Sequence, residues 1–157
     1  TNMVDLTRKV YRNFLSVAKE KDIKLTFEST NVPCYAVVDS DKMTQVVTNI
    51  VSNAIKYTPI GGSVKLSVDW NAEYTTIHCT DSGIGIKQED QPYVFNRLYR
   101  VDKSRSRFSG GVGLGLSIAK AIAEAHNSTI TLQSEIGVGS TFTVHIPNQH
   151  YSASKYY

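Results

Sequence analysis

Residues 43–59, MTQVVTNIVSNAIKYTP, divide one helix into two unlike faces. Met43, Val46, Val47, Ile50, Val51, Ala54 and Ile55 recur three and four apart, the spacing of a buried helical stripe. At about 100° per residue, Asn49, Asn53, Lys56 and Tyr57 gather on roughly a third of the circumference away from that stripe. Such a helix must bury its stripe and hold two amides, an ammonium and a phenol at a boundary. Asp39 or Ser40 offers the N-cap oxygen, and Thr58-Pro59-Ile60-Gly61-Gly62 ends the helix.

Around this helix the pattern switches between helical and strand periods. Val10, Phe14, Val17 and Ala18 predict an amphipathic helix over 3–20 that docks on a sheet and breaks at Lys21-Asp22. Lys24 to Ser29 alternates apolar and polar, and Tyr35 to Val38 follows Pro33, so both are predicted strands. Ser63 to Asp69 and Tyr74 to Thr80 read as paired strands around the turn Asn71-Ala72-Glu73. A short helical patch is predicted near Gln91 to Leu98, followed by a polar, basic loop, Tyr99 to Gly111, that reads as a mobile lid. Leu114 to Ala125 is a predicted helix ending at His126-Asn127, where Asn takes the left-handed cap. Strands Thr129 to Glu135 and Ser140 to Ile146 follow. Residues 1–148 are expected to form one domain, and Gln149 to Tyr157 a frayed, disordered tail.

Hydrophobic residues at 41% and charged residues at 20% suit an ordinary packed core. The net charge of +3 is mild, and the dense basic stretch from Arg97 to Arg107 is local, so no nucleic-acid partner is expected. Cys34 and Cys79 lie far apart with no CxxC pattern, which argues against zinc or a redox pair and fits a reducing cytoplasm with both as core or strand residues. No apolar run reaches the roughly 18 residues of a membrane helix. The chain opens on Thr1 without an initiator Met, which suggests a fragment or processed product.

Three Gly-rich turns follow the two-faced helix: DSGIGI from Asp81, GGVGLGL from Gly110 and GVGSTF from Gly137. GGVGLGL is not a dinucleotide fingerprint, because a basic loop and not a strand leads into it, and no Walker A loop is present. What remains is glycines opening a helix, where free N–H groups and the helix dipole favour an anion. Gly111, Gly113 and Gly115 are therefore read as a phosphate cradle. The histidines His78, His126, His145 and His150 lie in strands, a helix end and the tail, and read as structural.

As an ordered set, these segments resemble the catalytic ATP-binding domain of two-component sensor histidine kinases, within the superfamily shared with gyrase, Hsp90 and MutL. QVVTNIVSNAIKYTP matches that family's N box, DSGIGI its G1 box, VFNRLYR its F box, GGVGLGL its G2 box and GVGSTF its G3 box. The resemblance implies a two-layer α/β sandwich of the Bergerat type: a mixed, mostly antiparallel sheet of about five strands with about three helices on one face. It also implies ATP and Mg²⁺ as cofactors. Asn53 would ligate Mg²⁺, Asn49 a metal water or phosphate oxygen, Lys56 a phosphate, and Tyr57 the adenine ring. Asp81 would accept the adenine N6–H, and Gly83 and Gly85 would let backbone approach the base. Ile86, Tyr99, Val112, Leu114, Leu116 and Thr141 fall among the implied nucleotide-binding residues, as do the lid cations Arg97, Arg100 and Lys103, one or two of which would clamp the γ-phosphate. Asn49 and Arg97 are the implied catalytic pair. Phe95 is expected to anchor the lid to the core, and Ser140 and Thr141 serve equally near the base or as strand-start residues.

In the gyrase and Hsp90 branch, a Glu precedes the metal-binding Asn by one turn and activates water; here that position is Asn49, which disfavours hydrolysis and favours transfer. The implied acceptor is a histidine on a separate dimerisation domain of the same protein, with a response regulator downstream. The piece alone would be monomeric and inactive in autophosphorylation, and its parent a membrane-anchored homodimer with this domain in the cytoplasm. Departures from the pattern are Val112 for Thr or Ser, Leu98 for an aromatic, Asn96 for an acid, and His126-Asn127-Ser128 for a His-Gly-Gly turn. A nucleotide-binding regulator without transfer, an anti-sigma-type serine kinase and, least favoured, a gyrase-like ATPase are the alternatives.

Overall fold

The computed structural model describes residues 1–99 and 114–148. In chain order the elements are α1 (Met3–Glu20), β1 (Lys24–Ser29), α2 (Ser40–Tyr57), β2 (Ser63–Trp70), β3 (Tyr74–Asp81), α3 (Gly115–Ala125), β4 (Thr129–Glu135) and β5 (Gly139–Pro147). The strands form one sheet in the order β1-β2-β3-β5-β4, with β1 parallel to β2 and every other pair antiparallel. This is the mixed, mostly antiparallel two-layer sandwich expected.

Local chemistry sets the helix starts. Asn2 Oδ1 accepts from the Val4 N–H at 3.1 Å, and Asp39 Oδ1 accepts from the Lys42 N–H at 3.0 Å. All seven stripe residues of α2, Met43 to Ile55, are buried against the sheet and α1. On α1 the buried side is Met3, Val4, Leu6, Thr7, Val10 and Ala18, with Phe14 half-buried against the core. Val17, expected in the stripe, is 46% exposed instead. Its neighbour Ala18 fills the core position at that turn.

The predicted strand at Tyr35 to Val38 does not form. Its backbone is used by the residues ahead of α1: Ala36 N–H donates to Thr1 O at 2.9 Å, and a single bridge joins Asn2 to Tyr35. That contact is an isolated bridge and not a ladder. The helical patch at Gln91 to Leu98 contracts to one 3-10 turn, Gln91–Tyr93, opened by Pro92 with no side-chain cap.

Alternation along the strands separates two chemistries. One face carries Val64, Leu66, Val68, Ile77, Cys79, Phe142, Val144 and Ile146 into the core beneath the helices. The other is polar, with hydroxyl and imidazole pairs such as Thr80–Thr141, His78–Thr143 and Thr131–His145. Both cysteines are buried and free, as expected. Among the described residues, no helix is long and apolar enough to cross a membrane.

Candidate functional site

The site is built where the C-terminal half of α2, the loop after β3, and the start of α3 converge. Asn49 is half-buried, and its Nδ2 donates to the Gly115 carbonyl at 3.0 Å, so the N-box amide grips the first turn of α3. One turn on, Asn53 is half-buried with no side-chain hydrogen bond among the described residues, leaving its carbonyl oxygen free for a ligand. Lys56 Nζ stands 5.3 Å from the centroid of the Tyr57 ring, and Tyr57 is 41% exposed. The structure thus brings all four polar-face residues of α2 to one rim.

Asp81 ends β3 on the helix side of the sheet and is only 8% exposed. Its Oδ1 accepts from the Gly83 N–H at 2.9 Å and the Ser140 N–H at 3.2 Å, while Oδ2 accepts no hydrogen bond among the described residues. Burial pushes the carboxyl pKa above its ordinary value, and the two backbone donors oppose that rise. Directly below, burial and the Asp81 charge push the Cys79 thiol far up, so it is an inert core group. A desolvated carboxylate with one oxygen fixed and the other open is a preorganised acceptor.

The loop after Asp81 is shaped by its own packing. A Cβ at Gly83 would fall 2.7 Å from both Asp81 Oδ1 and the Tyr57 carbonyl. At Gly85 φ is +72°, and a Cβ would lie 2.0 Å from the Glu135 carbonyl. These glycines are required by the apposition of the loop to α2 and β4, whatever binds beside them. Ile86 is half-buried on the core, and its N–H donates to Ser134 Oγ at 2.8 Å. Gln91 Nε2 donates to the Ile86 and Ser134 carbonyls at 2.9 and 3.0 Å, clamping the loop to β4.

Ser140 and Thr141, both offered by the sequence near the base, lie on opposite faces of the sheet. Thr141 pairs with Thr80 in register and lies with its Oγ1 3.1 Å from Thr80 Oγ1 on the polar outer face, away from Asp81. Ser140 is the residue facing Asp81, in register opposite it. Ser134 is a further member that motif reading missed: its Oγ donates to the Gly139 carbonyl at 3.0 Å and lies 2.7 Å from Ser140 Oγ. Strand parity was the signal for Ser140; nothing local pointed to Ser134.

At the base of the loop read as a lid, Phe95 packs edge-on against Phe142, with ring centroids 6.0 Å apart, and Lys120 Nζ lies 5.9 Å from the Phe95 centroid. Tyr99 Oη donates to Asp90 Oδ1 at 2.5 Å, and this bond raises the phenol pKa. Arg97 is exposed, with no ion pair among the described residues. Leu116 packs against the core, and Leu114 opens α3 with no side-chain cap among the described residues, at a helix start whose N–H groups suit an anion. Arg100, Lys103, Gly111, Val112, Gly113 and the tail from Gln149 lie outside the described residues.

No group of three or more His, Cys, Asp or Glu able to hold a metal occurs among the described residues. The oxygen donors present, the Asn53 and Asn49 amides, suit a hard cation that takes most of its ligands from water and phosphate.

Comparison with known proteins agrees with this geometry. The sensor histidine kinase WalK of Bacillus subtilis is 44% identical over 133 residues, 83% of this chain and 22% of that protein. The sensor-like histidine kinase SenX3 of Mycolicibacterium smegmatis is 49% identical over 109 residues, 69% of this chain and 28% of that protein. The chain therefore spans a minor part of the length of these relatives. The catalytic domain of histidine kinase ThkA, in a nucleotide-free form, superimposes with a TM-score of 0.80 at 26% identity, covering 94% of this chain and 93% of that one. The family profile described as histidine kinase-, DNA gyrase B- and HSP90-like ATPase matches residues 38–150, and with the α2 face, the Asp81 loop and the start of α3 assembled on one rim, the chain belongs to that family.

Proposed function

We propose that the chain binds Mg·ATP and donates the γ-phosphoryl group to a histidine on a separate dimerisation domain of its parent sensor kinase. The observation that carries this reading is Asp81, whose buried carboxylate keeps Oδ2 open while Oδ1 is fixed by two backbone donors. An adenine amino group donates to such an oxygen, whereas the carbonyl of guanine at the same ring position repels it. Tyr57 lies against the ring and Lys56 meets phosphate as a point charge. Asn53 holds Mg²⁺ through its amide oxygen with Asn49 beside it, and the ion neutralises phosphate charge when bound. The first turn of α3 accepts a phosphate oxygen.

Transfer forms a bond between an imidazole nitrogen and the γ-phosphorus as the bond to the ADP oxygen breaks, and the chain contributes positioning and charge. Asn49 supports transfer over hydrolysis, because an amide that already donates to Gly115 O cannot deprotonate water. A response regulator is the natural next acceptor, and a membrane-anchored homodimer the natural parent. The test is to incubate the chain with γ-labelled ATP, Mg²⁺ and a histidine-bearing dimerisation fragment. Acid-labile label on the fragment, lost in Asn53→Ala, is expected. Nucleotide binding without any transfer would turn the reading to a regulatory module, acid-stable label to a serine kinase, and steady phosphate release by the chain alone to an ATPase.

A further inference from the structure

The last four carbonyls of a helix lack partners within it. In α2 they are closed without a glycine cap, since Thr58 follows in an extended conformation with φ −95° and ψ 123°. The Ala54 carbonyl accepts from Thr58 Oγ1 at 2.7 Å, and the Tyr57 carbonyl from the Ile84 N–H at 3.3 Å. The two between them, Ile55 and Lys56, accept from one ammonium, Lys21 Nζ, at 2.7 and 2.9 Å.

Lys21 is the C-cap residue of α1 and is itself held firmly. Its N–H donates to the Val17 carbonyl at 3.2 Å, and the Ile23 N–H returns to Ala18 O at 2.8 Å. The next residue, Asp22, adopts a left-handed φ of +56° and accepts from the Gly61 N–H at 2.8 Å. The end of α1 therefore grips both the last turn of α2 and the loop that follows it. A cation at a helix C-terminus is also favoured by the dipole.

This grip matters because burial stops before the functional residues begin. The buried stripe of α2 ends at Ile55, while Lys56 is half-buried and Tyr57 exposed. Core packing ends before those two residues, and the backbone closure of the turn sets where their Cα atoms stand and from where their side chains set out. We propose that Lys21 is a positioning residue for the nucleotide site: by tying the Ile55 and Lys56 carbonyls to α1, it fixes the pose in which Lys56 and Tyr57 meet phosphate and adenine. Lys21 touches no nucleotide, and its role rests on the ATP reading above.

The experiment compares wild type, Lys21→Met and Lys21→Arg. Met keeps an apolar stem and removes every donor, while Arg restores charge and donors. Two quantities are read well below the melting transition: the dissociation constant for Mg·ATP, and amide hydrogen exchange over residues 57–62. In K21M the affinity is expected to fall about tenfold, the scale of a lost charged hydrogen bond, with faster exchange at those amides. K21R is expected to restore both. If K21M fails to fold, Lys21→Gln takes its place with the same expected direction. A K21M chain that melts earlier but binds Mg·ATP as wild type does would show a purely structural staple and overturn the proposal alone. Failure of the wild-type chain to bind Mg·ATP would instead overturn the ATP reading and this role with it.

Discussion

At Asp81 the fold holds a carboxylate where burial disfavours its charge. Its raised pKa means that the ionised form weakens the folded state, a cost present at neutral pH that fades as the pH falls through that value. Asp81→Asn keeps an oxygen for the Gly83 and Ser140 N–H groups but turns an amide donor towards the adenine amino group. Thermal melting of this variant is expected to be no lower than wild type, while ATP affinity falls about 100-fold, as for a charged hydrogen bond lost with a donor left facing a donor. A variant that melts well below wild type and still binds ATP would contradict both parts. In the wild type, ATP affinity should decline on acidification from a higher pH than an ordinary carboxylate would give, which a binding titration against pH reads directly. Thr7 presents the opposite case. Its Oγ1 is buried in α1 with no hydrogen-bond partner among the described residues, so Thr7→Val should stabilise the fold by about 1 kcal/mol in urea denaturation, and a loss of stability would show that the hydroxyl has a role.

Elements were legible in the sequence where periodicity and burial coincide. The α2 stripe matches residue for residue because seven apolar positions fix one face, and the caps at Asp39 and Asn127 follow from short polar side chains that suit those backbone angles. Tyr35 to Val38 misled because strand propensity says nothing of whether a partner strand exists. The site was legible as a set of boxes, yet the sequence left Ser140 and Thr141 undivided, since only strand parity measured from Asp81 decides which of two adjacent hydroxyls shares its face. Lys21 and Ser134 act through contacts distant in sequence, and no local pattern marks them. The glycines, in turn, were read as yielding to a ligand, whereas Gly83 and Gly85 already yield to the chain. Gly85→Ala would combine a left-handed backbone with a collision at the Glu135 carbonyl. A loss of about 3 kcal/mol in chemical denaturation is expected even without nucleotide, and a near-neutral result would show that the loop after β3 can shift off β4.

The whole molecule is one sheet with helices on one side, so the site sits at the edge of the covered layer and shares its core. Ligand occupancy should therefore register as global stability. At a Mg·ATP concentration about 100 times the dissociation constant, the folded state should gain about 2.7 kcal/mol, seen as a higher melting temperature that chelation by EDTA largely reverses. An unchanged melting curve would show that the chain does not bind the nucleotide at that concentration. The uncovered side of the sheet offers something practical. Cys34 and Cys79 are both sealed in the interior, so the native chain shows no reactive thiol to solvent. Gln133 lies on the opposite face of the sheet from Asp81, exposed on β4. A cysteine placed there would take a fluorophore as the sole label, giving an optical reporter of docking or rotation that leaves the nucleotide rim untouched.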